Sequence, residues 1–169
     1  MPAFSIRTLR EEDFANVIQL SDSLGRRCDP GRWGVDECRL AVVTGDGDLV
    51  AWARAHFWDP TDPVAPAGYY LGGVEVAVEF QGLGLAQRLT QARLAWVAPR
   101  ARQVFCIVNA GNAASISLQR SMGFSELARA AAFGSVRFTG GEGILFSREI
   151  DERDSALETT TFEIETRDQ

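Results

Sequence analysis

Apolar and polar side chains alternate along Phe4–Arg10, the pattern of a half-buried strand. Glu11-Glu12-Asp13 follows, and acids are favoured at the positive end of a helix dipole, so a helix is predicted from there to about Leu24. Phe14, Val17, Ile18 and Leu20 or Leu24 form its buried side, and Gly25 ends it. Residues 25–36 lack periodicity and read as a loop with room for one short helical turn. Arg39–Thr44 and Leu49–Trp58 read as two strands joined by the turn Gly45-Asp46-Gly47-Asp48. Pro60, Pro63 and Pro66 mark 59–68 as a loop, and Tyr69–Val78 is a strand rich in Val, Leu and Tyr. Gly82-Leu83-Gly84 then opens a helix to about Val97, in which Leu85, Leu89, Ala92 and Trp96 form a core-facing stripe before Pro99 stops it.

Gln103–Val108 is the next strand. Asn112 caps a helix over Ala113–Met122, with Gly123 just past its end. Phe124–Phe133 and Gly143–Ile150 read as two more strands. Thr159–Thr166 also alternates and reads either as an added edge strand or as disordered chain. Antiparallel hairpins come first and a strand-helix-strand crossover sits in the middle. The expected class is therefore α/β (α+β), a mixed, mostly antiparallel central sheet flanked by helices. The expected organisation is one domain over 1–150 and an acidic tail over 151–169.

The charge balance narrows the partners. The chain has 17 basic residues against 23 acids, a net charge of −6, and every basic residue is Arg. That arginine bias fits a GC-rich bacterial genome. Without lysine, a Schiff base is excluded. Most of the negative charge lies in 151–169, with Asp151, Glu152, Asp154, Glu158, Glu163, Glu165 and Asp168 against two arginines. No basic stripe supports a nucleic-acid partner, and no apolar run is long enough for a membrane span. The charged start does not read as a secretory signal. Cys28, Cys38 and Cys106 form no CxxC, so neither a disulfide scaffold nor a metal site is expected, and a reducing cytoplasm is.

The most specific feature is Leu71–Ala86, where a strand runs into a glycine-containing turn that opens a helix. The first helical amides lack internal partners and carry partial positive charge, and glycines let a ligand approach them, a geometry suited to phosphate or diphosphate. Glycine spacing alone is equally met by a tight turn that only serves packing. A dinucleotide fingerprint is a third reading, but its last glycine or alanine is replaced here by Gln87.

Gln81-Gly-Leu-Gly-Leu-Ala86 resembles the Q/R-x-x-G-x-G/A signature of the GNAT superfamily of acetyl-CoA-dependent N-acetyltransferases. Asn109–Phe124, with Asn112, Ser115, Leu118, Gly123 and Phe124, resembles the helix that follows it in that family. The two motifs cover about 71–124, and the order of elements extends the resemblance over 4–150. It implies an acyl-CoA N-acyltransferase fold with acetyl-CoA as cosubstrate and no metal. By the same resemblance, backbone groups of Val74, Glu75 and Val76 would pair with the pantetheine arm, the Val76 amide serving as oxyanion donor. The amides of Gly82, Leu83, Gly84, Leu85, Ala86 and Gln87 would hold the diphosphate, with Gln81 opening the motif and Arg88 adding charge. Asn112, Ser115 and Gln119 share a helix face toward CoA, and Asn112 serves equally as a plain cap.

One departure matters. The family usually carries Tyr where this chain has Gln119, and that Tyr commonly protonates the departing thiolate. An amide donates a hydrogen bond but no proton. Tyr69, Tyr70 and Ser115 are the candidate hydroxyls for that role, beside Gln119 at the position itself. Glu75 is the first candidate for the base that neutralises the amine, against the alternative of a carboxylate on a solvent-facing strand surface. His56, Asp59, Asp62 and Glu142 have weaker claims, and Trp33 and Trp58 are candidate loop aromatics beside an acceptor pocket. The expected activity is acetyl transfer to a primary amine in a ternary complex, the acceptor a small molecule or a protein amine. Arg26, Arg27 and Arg32 point to an acceptor with an acidic group, and the acidic tail to a cationic one. The competing expectation is a CoA-binding sensor or regulatory module with little turnover. A homodimer is the candidate assembly, the tail strand pairing with a neighbouring sheet edge.

Overall fold

A computed structural model describes residues 2–155 and 161–163. Its strands are β1 (Ala3–Thr8), β2 (Cys38–Thr44), β3 (Leu49–Trp58), β4 (Gly68–Val76), β5 (Gln103–Asn109), β6 (Ser125–Ala130), β7 (Ala132–Phe133), β8 (Val136–Arg137), β9 (Gly143–Glu149) and β10 (Thr161–Glu163). The helices are α1 (Phe14–Ser23), α2 (Leu85–Val97) and α3 (Ala113–Ser121). Hydrogen bonding orders the strands β10-β1-β2-β3-β4-β5-β9-β6, with β7-β8 as a separate pair. The pairs β1–β10, β1–β2, β5–β9 and β6–β9 are antiparallel, whereas β4–β5 is parallel. A parallel pair needs a crossover, and α2 supplies it. This is the mixed sheet with flanking helices that the pattern predicts.

Two compact units partition the described residues: those up to 54, 73–92 and 161–163 in the first, and 55–72 with 93–155 in the second. In the first unit the period of two divides the side chains between two faces. Phe4, Ile6, Leu40, Val42, Ala51, Ala53, Val74 and Val76 pack with Leu85 and Leu89 of α2. Ala41 and Trp52, from the opposite parity, pack with Val17 and Leu20 of α1. Gly73 belongs to this second set. A Cβ there would lie 2.8 Å from the Trp52 ring, so the missing side chain is what leaves room for the edge of the buried indole.

The helix predicted from Glu11 begins as a 3-10 turn, Glu11–Asp13, and becomes α-helical at Phe14. Asp13 is buried, accepts the Arg10 amide at 2.8 Å and forms two hydrogen bonds with Arg7. The Arg7 guanidinium holds its carboxyl below the usual range. Ile18, expected on the buried side, is 40% exposed, and Ser21 is buried instead. The packed stripe runs through Val17, Leu20, Ser21 and Leu24, and Ile18 sits about 100° further round from Val17.

In the second unit β5 pairs with β9 along its whole length. Tyr70, Phe105, Phe133 and Leu145 form the core there. The segment 124–133, predicted as one strand, divides in two. β6 has a bulge between Glu126 and Ala128, and Phe133 turns into the β7-β8 hairpin. Cys106 is buried and its thiol is pushed up to about 12, as an apolar strand position dictates. Trp96, expected on the core stripe of α2, is only half-buried, covered by the Arg100 guanidinium and met edge-to-face by Tyr69. The fully buried neighbour is Arg93, whose Nη1 donates to the Gly72 carbonyl at 3.2 Å.

Replacing Gly73 by Ala forces the Trp52 ring out of its place. A loss of about 1–3 kcal/mol is expected, read as a lower thermal midpoint. An unchanged midpoint would show that Trp52 relaxes freely.

Candidate active site

The link from β4 to α2 is held from below and open above. The Ala77 amide donates to the Val50 carbonyl at 2.8 Å, and Val78–Phe80 forms a 3-10 turn. Phe80, Leu83 and Leu85 pack into the first unit's core. The Gln81 side chain folds back, its Nε2 donating to the Val76 carbonyl at 3.0 Å. Gly82 and Gly84 both have φ near +79°, a conformation that strains any residue with a Cβ. A Cβ at Gly82 would meet nothing within 4 Å, and one at Gly84 only the Gln87 side chain at 3.7 Å. The outer face of the turn is therefore clear backbone.

The Arg88 amide closes the first turn of α2 on the Gly84 carbonyl at 3.1 Å, so the amides of Leu85, Ala86 and Gln87 precede the helical ladder. The first turn of α2 contains no acid, in contrast to the Glu11-Glu12-Asp13 turn before α1. No acid within that first turn neutralises its partial positive charge, and the arrangement suits an anion.

Strand alternation sets the second element. Val74 and Val76 face α2, so Glu75 must face the other way, toward the C-terminal end of α1. Glu75 is 5% exposed. The Ser21 hydroxyl donates to its Oε2 at 3.3 Å, Arg26 Nη1 lies 3.9 Å from the same oxygen, and buried Oε1 has no hydrogen-bond partner among the described residues. Glu75 is thus not a carboxylate on a solvent face. Cys28 lies within its field: burial first, then the Glu75 charge, pushes the thiol up to about 11. Beyond it, Trp33 packs on Trp52 and under the Arg54 guanidinium, which Glu37 holds with both carboxylate oxygens.

In the second unit, Asn112 Oδ1 accepts the Ser115 amide at 3.1 Å and caps α3. Ser115 is half-buried, while Gln119 is 4% exposed with an unpartnered Oε1. Tyr70 is committed elsewhere. Its hydroxyl donates to the Pro66 carbonyl at 2.7 Å, the ring packs on Phe105 and Trp58, and burial pushes its pKa up to about 12.

The weaker candidates have structural partners. Asp62 accepts the amides of Val64, Ala65 and Gly134, and Asp59 that of Thr61, as turn aspartates do. Glu142 pairs with Arg129. Ser21 was missed in sequence, although its place on the Val17–Leu20–Leu24 stripe marks a polar residue where the helix packs. Among the described residues no group of three or more His, Cys, Asp or Glu side chains is placed to hold a metal. No described helix is long and apolar enough to cross a membrane.

Comparisons with known proteins converge. The profile of the Acetyltransferase (GNAT) family matches residues 5–124. A search of curated proteins finds no match. Among solved structures, the ribosomal-protein-S18-alanine N-acetyltransferase from Escherichia coli superposes with a TM-score of 0.70 at 19% identity, over 87% of this chain and 94% of that one. NAA60 from Arabidopsis thaliana in complex with a bisubstrate analogue gives 0.69 at 20%, over 88% and 98%. A GNAT superfamily phosphinothricin acetyltransferase from Sinorhizobium meliloti in complex with AcCoA gives 0.69 at 13%, over 88% and 89%. At these identities the likeness is one of fold.

The Glu75–Cys28 proximity is open to direct measurement. Alkylation of Cys28 should climb steeply as pH rises toward 11, since the thiolate is the reacting form. Glu75→Gln removes a negative charge and should raise the rate several-fold at pH 8, followed by peptide mass spectrometry. An unchanged rate would separate the two side chains.

Proposed function

The chain belongs to the GNAT acetyltransferase family, and from that premise we propose that it moves an acetyl group from acetyl-CoA to a primary amine by direct attack in a ternary complex. The observation that carries this reading is the open backbone turn at Gly82 and Gly84, leading into a helix start with no acid of its own. A diphosphate fits such a turn: the amides of Gly82 to Gln87 would bind it, and Arg88 would add charge. Solved members of the fold bound to AcCoA support the same cosubstrate.

The remaining roles are proposed residue by residue. Backbone groups of Val74, Glu75 and Val76 would bind the pantetheine arm, with the Val76 amide facing the thioester oxygen as negative charge develops. Asn112, Ser115 and Gln119 would contact CoA from α3. Glu75 would take the proton from the incoming ammonium, directly or through one water. Its burial and unpartnered Oε1 suit a base, since the acceptor orbital is not already occupied. The neutral nitrogen then attacks the thioester carbon, and the tetrahedral intermediate expels the CoA thiolate. Gln119 would offer that sulfur a hydrogen bond but no proton. Because the Tyr70 hydroxyl is committed to Pro66, the thiolate would be protonated from solvent or by Ser115, one turn before Gln119 on α3. No metal takes part in the reaction so written. We place the enzyme in the cytoplasm, with 1–150 as the catalytic domain and 151–169 as an acidic appendage.

Gln119 also favours a second reading, a CoA-binding sensor with little turnover. Free thiol released in the presence of an amine library supports the enzyme; CoA binding with no thiol from any amine supports the sensor. Gly84→Glu fills the turn with a side chain of the wrong charge. Acetyl-CoA binding should then vanish in calorimetry while the circular dichroism spectrum persists; unchanged affinity would remove the diphosphate assignment. Glu75→Gln should lower kcat by about 10²–10⁴-fold with acetyl-CoA affinity retained. A wild-type kcat in that variant would remove Glu75 as the base.

A further inference from the structure

The immediate surroundings of Glu75 point to the class of amine. Its carboxylate is almost wholly buried, whereas the Arg26 side chain beside it is 53% exposed. At 3.9 Å the two groups attract without sharing a hydrogen bond. The Arg26 amide is fixed by the Ser21 carbonyl at 3.0 Å, but among the described residues its guanidinium makes no hydrogen bond, and Glu75 Oε1 has none either. An uncommitted acceptor oxygen thus lies beside an uncommitted fork of five N–H donors.

An amine reaches this base as a cation. A simple alkylamine or a polyamine would bring that charge beside Arg26, where like charges repel and the single Glu75 carboxylate is left to serve both cations. A carboxylate on the carbon that bears the amine reverses the balance. It meets the guanidinium in the fork geometry that carboxylates prefer, while the amine faces Glu75. A peptide N-terminus has a neutral carbonyl at that position and gains far less.

We propose that the acceptor is an α-amino acid, its amine directed to Glu75 and its carboxylate held by Arg26; this rests on the transferase reading given above. The N–C(acetyl) bond forms and the C–S bond breaks. The proton leaves the nitrogen through Glu75, the sulfur departs as thiolate and is protonated from solvent, and the products are an N-acetyl amino acid and CoA. Arg26 orients the substrate and binds its charge, but touches no reacting atom.

The test compares matched pairs: phenylalanine with phenethylamine, leucine with isopentylamine, and each amino acid with its amide. All are assayed with acetyl-CoA and a thiol reagent across the amino-acid set. The amino acids should be preferred by about 10²-fold or more in kcat/KM. Arg26→Gln should raise KM for them at least tenfold, leave kcat and acetyl-CoA affinity near their original values, and erase the preference; Arg26→Lys should restore part of it. Because Arg26 is half-exposed, these variants should keep the wild-type melting profile. Equal or faster turnover of the decarboxylated amines overturns the inference and leaves acetyl transfer standing. A preference that survives Arg26→Gln also overturns it. Acetyl-CoA binding without thiol release from any pair overturns the amino-acid assignment, and only the same silence across the wider amine library overturns acetyl transfer with it.

Discussion

A carboxylate withdrawn from water costs several kcal/mol unless charge or hydrogen bonds replace its hydration. Glu75 has one serine hydroxyl and one distant guanidinium in exchange, and one oxygen with nothing. A chain selected only for stability has no use for such a group buried near the end of a strand. The surrounding structure explains how it is tolerated. The flanking valines anchor β4 to the α2 side, and the same alternation that buries them drives Glu75 toward α1. Gly73, two residues earlier on the same face, makes room for the Trp52 indole that walls this region.

The continuation of β4 turns that constraint into a second one. Seven and nine residues past Glu75 the chain turns on two glycines in a conformation other residues avoid. Phe80 and Leu83 fasten the turn to the core while its outer face stays bare. A buried carboxylate and an anion-suited helix start are therefore fixed to one another through a single short stretch of packed backbone. Neither depends on a long loop finding its place.

Much of this was legible in the residues. Alternation located β1 to β4 to within about two residues, the turn glycines were visible as such, and Asn112 caps α3 as its side chain predicts. Family motifs then supplied what spacing alone left open at Gly82 and Gly84. The rest was hidden for definite reasons. Ser21 meets Glu75 across a separation of 54 residues, and no local pattern encodes that meeting. Periodicity treats Arg as a surface residue, so Arg93 drew no attention, yet α2 buries it completely and hydrogen-bonds it to the Gly72 backbone. Tyr70 reads as a free hydroxyl until Pro66, four residues earlier, is seen to accept from it. The 124–133 segment looks continuous because a bulge changes register without changing composition.

The three residues of β10 lie antiparallel against β1, with Ala3, Phe4 and Ser5 opposite Glu163, Phe162 and Thr161. Strand edges left open are templates on which other chains add and aggregates grow. Here a later part of the same polypeptide takes up that side of β1, and the margin it presents among the described residues is three residues long and carries an acid at Glu163. Shortness and charge are the usual deterrents to such growth, and the described residues of β10 carry both.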